Sequence, residues 1–453
     1  MTKGKVKIGI AGAGLSGLSC AIFLKNSDKK NLFEISILES SPKPGGRTYS
    51  FADRETGMVL DNGQHILAGW YKSTLEYLKI CNPEFKLNFQ NNLEINFYNT
   101  ENKFFKFKCP DLFSPVNLVM GILKYDAFSI KDKLSFLKIW KLINREEFNT
   151  EYLKKIDVLT LLNDLKQTDN SIKYFWEPFL LAVFNCRLNE INGNVFMNVM
   201  MEGFSGKGNS NLLIPEKDLN SLLINDSLKF LNQNSVEIIY NNKVNEIIKE
   251  ENGKIKVITN NSENNEFDLF INAASFFRLS DISYNFDFEI PDLKTSSIIS
   301  VHLIFESEIP EKVLKNNSFG MTGLIGTNTQ WIFKKSNNHL SLVISGADFL
   351  EYKGNRLIDC DKEVITDMCI EELNKCLTGF DNLKIKNTKV IKEKRATFIP
   401  DENSVTERNK AGKDYGNYYV CGDWTETELP ATIEAAVRSG NRISNKILKK
   451  FYN

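Results

Sequence analysis

A glycine pattern within the first twenty residues constrains this chain more than any other feature. Val6, Ile8 and Ile10 alternate with Lys5, Lys7 and Gly9, and Ala11 follows, which predicts a short strand. Gly12-Ala13-Gly14-Leu15-Ser16-Gly17 comes next, a G-x-G-x-x-G. Leu15, Leu18, Ala21 and Ile22 then share one helical face, and a second strand from Phe33 to Leu38 ends at Glu39. Gly12 permits the tight turn, Gly14 clears the backbone for a pyrophosphate, and Gly17 lets helix and strand pack closely. The helix start, with Leu15 and Ser16, offers N–H groups and partial positive charge to phosphates. Glu39 lies 22 residues beyond Gly17, placed to accept a ribose hydroxyl and to repel a 2′-phosphate. The unit predicts dinucleotide binding.

Two later features choose between dinucleotides. Pro44-Gly45-Gly46-Arg47 follows Glu39; its glycines bring backbone close to a ligand, and Arg47 can pair with phosphate or a flavin carbonyl. Near the other end, Gly422-Asp423-Trp424 closes a strand, Tyr418 to Val420. Asp423 can accept ribityl or ribose hydroxyls. After Pro430, Ile433, Val437, Gly440, Ile443, Ile447 and Phe451 form the apolar face of a last helix. The N–H groups of Ala431 and Thr432 at its start can meet the flavin pyrimidine edge. A nicotinamide site is complete within one half of such a chain, whereas a ligand served at residues 12 and 422 is long, and FAD is long enough.

The middle of the chain supplies the reacting end. Asp61-Asn62-Gly63-Gln64-His65 follows a strand-like Met58 to Leu60, and a glycine so placed often marks backbone against a planar ligand. Residues 174–188 are aromatic and apolar almost throughout, and Trp176, Phe179, Phe184 and the later Trp424 are candidate substrate-lining residues. Strand character returns from 235 to 275; Val244 in that block joins the cofactor-binding set. Residues 111–145 hold two amphipathic patterns, one with Val116, Val119, Met120 and Leu123, the other with Leu134, Leu137, Trp140 and Ile143 among lysines, which suits a membrane surface as well as a core-packed helix.

Bulk properties narrow the class. The 453 residues are 42% hydrophobic and 25% charged, enough for a large core. Lysine plus arginine equals aspartate plus glutamate, 57 each, giving no electrostatic case for nucleic acid. The eight cysteines contain no C-x-x-C, which disfavours zinc and dithiol chemistry, and no metal site is expected. No segment approaches the roughly 20 apolar residues of a membrane span. The opening MTKGKVKIGIAG has no leader pattern, so the expected location is cytoplasmic, with peripheral contact to the cytoplasmic membrane.

These motifs together resemble the flavin amine oxidase and phytoene desaturase superfamily. Three stretches are similar to the squalene-associated hydroxysqualene dehydroxylases: DNGQHILAGWYKSTLEYL from Asp61, FWEPFLLAVFNC from Phe175 and GDWTETELPATIEAAVRSG from Gly422. The resemblance implies an α/β fold in which a Rossmann-like FAD domain is interleaved with an α+β substrate domain. The expected partition is cofactor binding in 1–75, 206–278 and 399–453, a helical substrate or membrane-facing part in 76–205, and a substrate-domain sheet in 279–398. It further implies FAD, an apolar isoprenoid substrate from an upstream isoprenoid synthase, and an electron donor from elsewhere. The reaction implied is reductive removal of a hydroxyl, for which His65, Asp61 and Glu428 are candidate proton donors. Glu428 and Ala435 stand where that family carries glycine. The rival implied readings are a carotenoid desaturase and an amine oxidase.

Overall fold

In the computed structural model, which describes residues 5–143, 150–204, 206–261, 264–315 and 320–452, the opening motif folds as its pattern dictates. Strands β1 (Val6–Ala11) and β2 (Phe33–Leu38) run parallel, Val6 opposite Phe33 and Ala11 opposite Leu38. Between them α1 (Leu15–Ser27) is buried from Leu15 to Leu24. A helix this thoroughly buried needs cover on both sides. The sheet supplies one side and the C-terminal helix the other.

Further along the chain come β3 (Glu94–Asn99), β4 (Phe104–Lys108), β5 (Glu237–Ile239), β6 (Leu269–Asn272), β7 (Thr295–Phe305) and β8 (Met321–Ile325). They are followed by β9 (Trp331–Ser336), β10 (His339–Ser345), β11 (Ile385–Phe398) and β12 (Tyr418–Val420). One sheet has the order β5-β2-β1-β6-β12, with every neighbour parallel. All residues of β6 and β12 are buried, as a parallel sheet covered on both faces requires. Its strands come from three remote stretches of chain. The second sheet has the order β11-β7-β10-β9-β8-β3-β4 and is antiparallel except where β8 meets β3.

Residues 76–205, expected to be helical, open on the end of the helix Lys72–Cys81 and then carry strands before the rest of their helices. Ile95, Phe97, Phe105 and Phe107 suit a pleated surface. Asn99 closes the turn between β3 and β4 by accepting the amides of Glu101 and Lys103 on its side chain. The helices follow: α2 (Val116–Lys124), α3 (Ile130–Ile143) and α4 (Glu177–Phe184), the last entered through a π turn over Ile172–Trp176. Trp140 and Ile143 lie outside the residues whose side chains are described.

The last helix, α5 (Ile433–Tyr452), lies against α1 with Ile433, Val437, Gly440 and Ile447 buried. A Cβ on Gly440 would come within 2.3 Å of Ser19 Oγ and 2.6 Å of the Ser16 carbonyl, so only glycine allows this approach. Glu434, fully buried, accepts the amides of Ser73 and Thr74 and so caps the helix Lys72–Cys81 from α5. The eight cysteines are free.

Candidate functional site

A cavity of about 400 Å³ runs from the first sheet to the face of the second. At one end it is walled by Gly14, Leu15 and Ser16 of α1, by Gly45 to Thr48, by Gly422 to Trp424, and by Ala431 to Ile433 at the start of α5. Asn62 to Ala68 form its middle. The far end is apolar, with Leu93, Ile95, Phe97, Phe107, Phe175, Phe179, Trp331 and Phe333. A cavity at the carboxyl ends of parallel strands is where open α/β sheets bind ligands.

The cradle at the first end is built from backbone. Gly12 has a φ of +101°, and a Cβ on Gly17 would stand 2.0 Å from the Gly12 carbonyl oxygen. A Cβ on Gly14 would meet nothing within 4 Å, because it would project into the cavity. No side chain caps the start of α1, leaving its first amides for a ligand. The second glycine turn is strapped to the first: the Gly45 amide donates to the Ala13 carbonyl at 2.8 Å, and Gly45 and Gly46 have φ of +106° and +60°. Open space beside uncapped helix amides, bounded by two converging glycine turns, fits a pyrophosphate.

Glu39 is buried at the end of β2. Its Oε2 accepts the Ala13 amide at 2.6 Å and its Oε1 the Ser41 amide at 2.7 Å. A carboxylate has about four acceptor sites, so capacity for a ribose hydroxyl remains. Val244 packs with Ala11 and Leu38 behind this end. Gly12, Gly17, Glu39 and Val244 shape the cradle from outside the cavity wall, whereas Gly14, Leu15, Ser16, Gly46, Arg47, Gly63, Gly422, Asp423, Ala431 and Thr432 line it.

Arg47 and Asp423, read separately in the sequence as ligand contacts, are brought together. Arg47 Nη2 lies 2.6 Å from Asp423 Oδ1, and its Nη1 donates to the Ala396 carbonyl at 2.7 Å. Burial disfavours the guanidinium charge, and Asp423 overrides this and raises its pKa. At the start of α5, Thr432 Oγ1 accepts the Ala435 amide at 3.1 Å, so Thr432 caps the helix while facing the cavity.

The candidate proton donors separate cleanly. His65 lines the cavity; burial pulls its pKa down to about 4, which the Asp61 carboxylate opposes and Arg47 and Lys335 reinforce. Asp61 does not line it. Its buried carboxylate accepts Ser50 Oγ at 2.8 Å, the Leu219 amide at 3.0 Å and Lys335 Nζ at 3.2 Å, so it is committed to the interior. Glu428 is corrected outright: its side chain is exposed, ion-paired with Arg442 at 3.2 Å and directed away from the cavity. Its φ of +68° lies in the left-handed region that glycine adopts without strain.

Two aromatic expectations are also corrected. Phe179 and Trp424 line the cavity, but Trp176 and Phe184 are core residues. Trp176 stacks on Phe136 at 4.9 Å and donates to Gln167 Oε1 at 3.1 Å. The π turn before α4 turns Phe175 rather than Trp176 to the cavity, one helical turn from Phe179. Sequence reasoning missed Tyr71, Trp331, Phe333 and Glu393 on the wall. Trp331 and Phe333 alternate along a strand, a signal that was available.

A family model for flavin containing amine oxidoreductases matches residues 15–448. The chain belongs to that family. It is an FAD-dependent oxidoreductase, in keeping with the cradle described above. It is 25% identical to the hydroxysqualene dehydroxylase of Zymomonas mobilis, covering 97% of this chain and 98% of that protein. It is 20% identical to the 15-cis-phytoene desaturase of Arabidopsis thaliana, covering 98% of this chain and 80% of the relative. Among solved structures, cyclohexylamine oxidase from Brevibacterium oxydans superposes with a TM-score of 0.70 at 12% identity, over 99% of this chain and 100% of that one. The fold is that of these flavin oxidases.

Proposed function

We propose that the chain removes the hydroxyl of hydroxysqualene reductively to give squalene. The observation that carries this is the division of one cavity into a polar cofactor cradle and a long apolar reach walled by Phe97, Phe107, Phe175, Phe179, Trp331 and Phe333. Likeness to hydroxysqualene dehydroxylases over nearly the whole chain supports it. Among the described residues no lysine lines the cavity, and its ionisable groups gather toward the cradle, which suits a hydrocarbon better than an amine.

Bound and reduced, FAD supplies a hydride, and an external donor must renew its electrons. The protein's own residues do the rest. A departing hydroxyl needs a proton, and His65 is the candidate donor that faces the cavity. The ring faces of Phe175, Phe179 and Trp331 favour positive charge developing on an allylic carbon. The apolar wall excludes water that would capture such a carbon. Per turnover one hydride and one proton are consumed, the C–O bond breaks, a C–H bond forms and water leaves.

The test uses anaerobically reduced holoenzyme mixed in turn with hydroxysqualene, phytoene and putrescine. Hydroxysqualene alone is expected to reoxidise the flavin, one squalene forming per flavin. Reduction of oxidised holoenzyme by phytoene would instead establish a desaturase, and reduction by putrescine an amine oxidase.

An apolar substrate must be collected from a lipid phase, and α2 and α3 present a surface for that. Phe113, Leu123, Ile130, Leu134 and Leu137 are exposed, Ile130 by 78%, with Lys124, Lys131 and Lys138 beside them. Ile130, Leu134 and Leu137 share one face, while Phe136 and Ile139 face inward. Among the described residues no helix is long and apolar enough to cross a membrane. Binding in the interface plane of an anionic bilayer is the reading adopted. The protein is expected to co-sediment with phosphatidylglycerol vesicles, and the triple change Phe113→Ser, Ile130→Ser, Leu134→Ser to lower vesicle affinity at least about 30-fold, near 2 kcal/mol. Equal sedimentation of the variant would discard this surface.

A further inference from the structure

The chain has three histidines, and all three gather around one polar strip that leads away from the cavity. The strip starts on β7, where Ile298, Ser300 and His302 alternate onto one face. Ile298 lines the cavity. Ser300 stands beside His65 across Gly63: a Cβ on Gly63 would lie 3.9 Å from His65 Nε2 and 4.0 Å from Ser300 Oγ. Next on this face, His302 Nδ1 lies 3.0 Å from His339 Nε2. Opposite His302 on β10 is Ser341.

Ser341 Oγ is buried without a hydrogen-bond partner among the described residues, and the outer ring nitrogen of His302 is turned toward the Asp61 main chain. A buried polar atom left as Ser341 Oγ is, across the strand pair from an imidazole, is the setting in which ordered water is found. The outer end is wetter. Lys335, on the strand paired with β10, reaches Asp61 Oδ2 at 3.2 Å with its side chain one quarter exposed.

We infer that Ser300, His302, Ser341 and His339, bridged by water, form a proton path from the Lys335 side of the molecule to His65. The inference rests on the reading that the cavity reaction consumes a proton. A proton passes inward along the path as His65 gives one to the departing hydroxyl, so His65 ends each cycle as it began. Water is the product, and the electron pair comes from the hydride. Burial holds His302 and His339 near a pKa of about 4, so both stay neutral and can relay by exchanging tautomers rather than by storing charge. His302, Ser341 and His339 act through His65 and are positioning residues.

The test follows proton uptake during photoreduction of bound FAD, using a pH-indicator dye, with squalene filling the cavity. Wild-type holoenzyme is expected to take up its proton promptly, with a solvent isotope effect above two. His302→Phe is expected to slow uptake at least tenfold at unchanged FAD content and unfolding temperature, and His302→Gln, which keeps a donor and an acceptor, to recover most of the rate. Where His302→Phe fails to fold, Ser341→Ala replaces it and is expected to slow uptake severalfold. Wild-type uptake kinetics in His302→Phe, or in Ser341→Ala, would overturn the path. Photoreduction needs no substrate, so failure of hydroxysqualene turnover would overturn the dehydroxylation reading alone.

Discussion

Gly17→Ala is expected to destroy the N-terminal unit, whereas Gly14→Ala, three residues away, is expected to fold normally and lose FAD. The difference lies in what each new methyl meets. At Gly17 it would stand 2.0 Å from the Gly12 carbonyl oxygen and 3.3 Å from the Ala273 side chain. That carbonyl belongs to the turn itself, so relief requires α1 to lift from β1. Overpacking of this kind costs about 3 kcal/mol, and more where backbone must move. That is a large part of the roughly 5–15 kcal/mol that holds a domain folded. At Gly14 the methyl meets nothing within 4 Å, and the residue's φ of −74° suits any side chain. The folded chain should therefore tolerate alanine to within about 0.5 kcal/mol. The same methyl occupies the space a pyrophosphate needs, and FAD affinity is expected to fall at least about 100-fold, near 2.7 kcal/mol. Thermal unfolding followed by circular dichroism separates the two variants, and FAD titration reads the second. Wild-type FAD affinity in Gly14→Ala would move the phosphates away from α1.

How much of this the sequence disclosed depended on the range of each interaction. The G-x-G-x-x-G was legible because strand, turn and helix are consecutive, and each glycine serves a neighbour a few residues off. The strap from Gly45 to Ala13 was half legible: the second glycine turn announced itself, but nothing in it named its partner. The Arg47–Asp423 pair spans 376 residues and was not legible as a pair. Each residue looked like a ligand contact because, seen alone, each lacked a counter-charge. Within 174–188 almost every position is apolar, so periodicity carries no phase, and a π turn then shifted which aromatics face the cavity. Glu428 misled for a different reason. A carboxylate near the flavin end of the sequence reads as an acid, but its backbone is left-handed and its side chain is turned to solvent. His302 and His339 sit in strands that read as ordinary apolar runs, and only the pairing of β7 with β10 joins them.

Arg408→Met is expected to cost about 3–5 kcal/mol and to empty the FAD site, although Arg408 lies outside the cavity wall. The segment from Asp423 to Pro430 joins β12 to α5 without regular structure and carries Asp423 at one end and the approach to Ala431 and Thr432 at the other. One fully buried guanidinium organises it. Arg408 Nη2 donates to the carbonyls of Thr425 at 2.7 Å and Leu429 at 2.9 Å and to Thr427 Oγ1 at 3.2 Å. Its Nε reaches the Thr425 carbonyl at 3.2 Å and that of Trp424 at 3.3 Å. The planar group lies over the Phe398 ring, 4.7 Å from its centroid. Methionine fills much of the volume and removes every donor, leaving several buried carbonyls unpaired at about 1–3 kcal/mol each before relaxation. Lysine restores a charge but not the planar fork, so Arg408→Lys should recover only part of the loss. A loop no longer tied at its centre cannot hold Asp423 against Arg47 while presenting the start of α5. Stability and cofactor content should therefore fall together, read as the denaturant midpoint and as flavin absorbance per protein. Because a ligand stabilises by mass action only where its site exists, added FAD should raise the unfolding temperature of Arg408→Met less than that of the wild type. Full flavin content with an unchanged midpoint would show that the loop holds its shape without the arginine, and the cavity end would then owe its form to the Arg47–Asp423 pair instead.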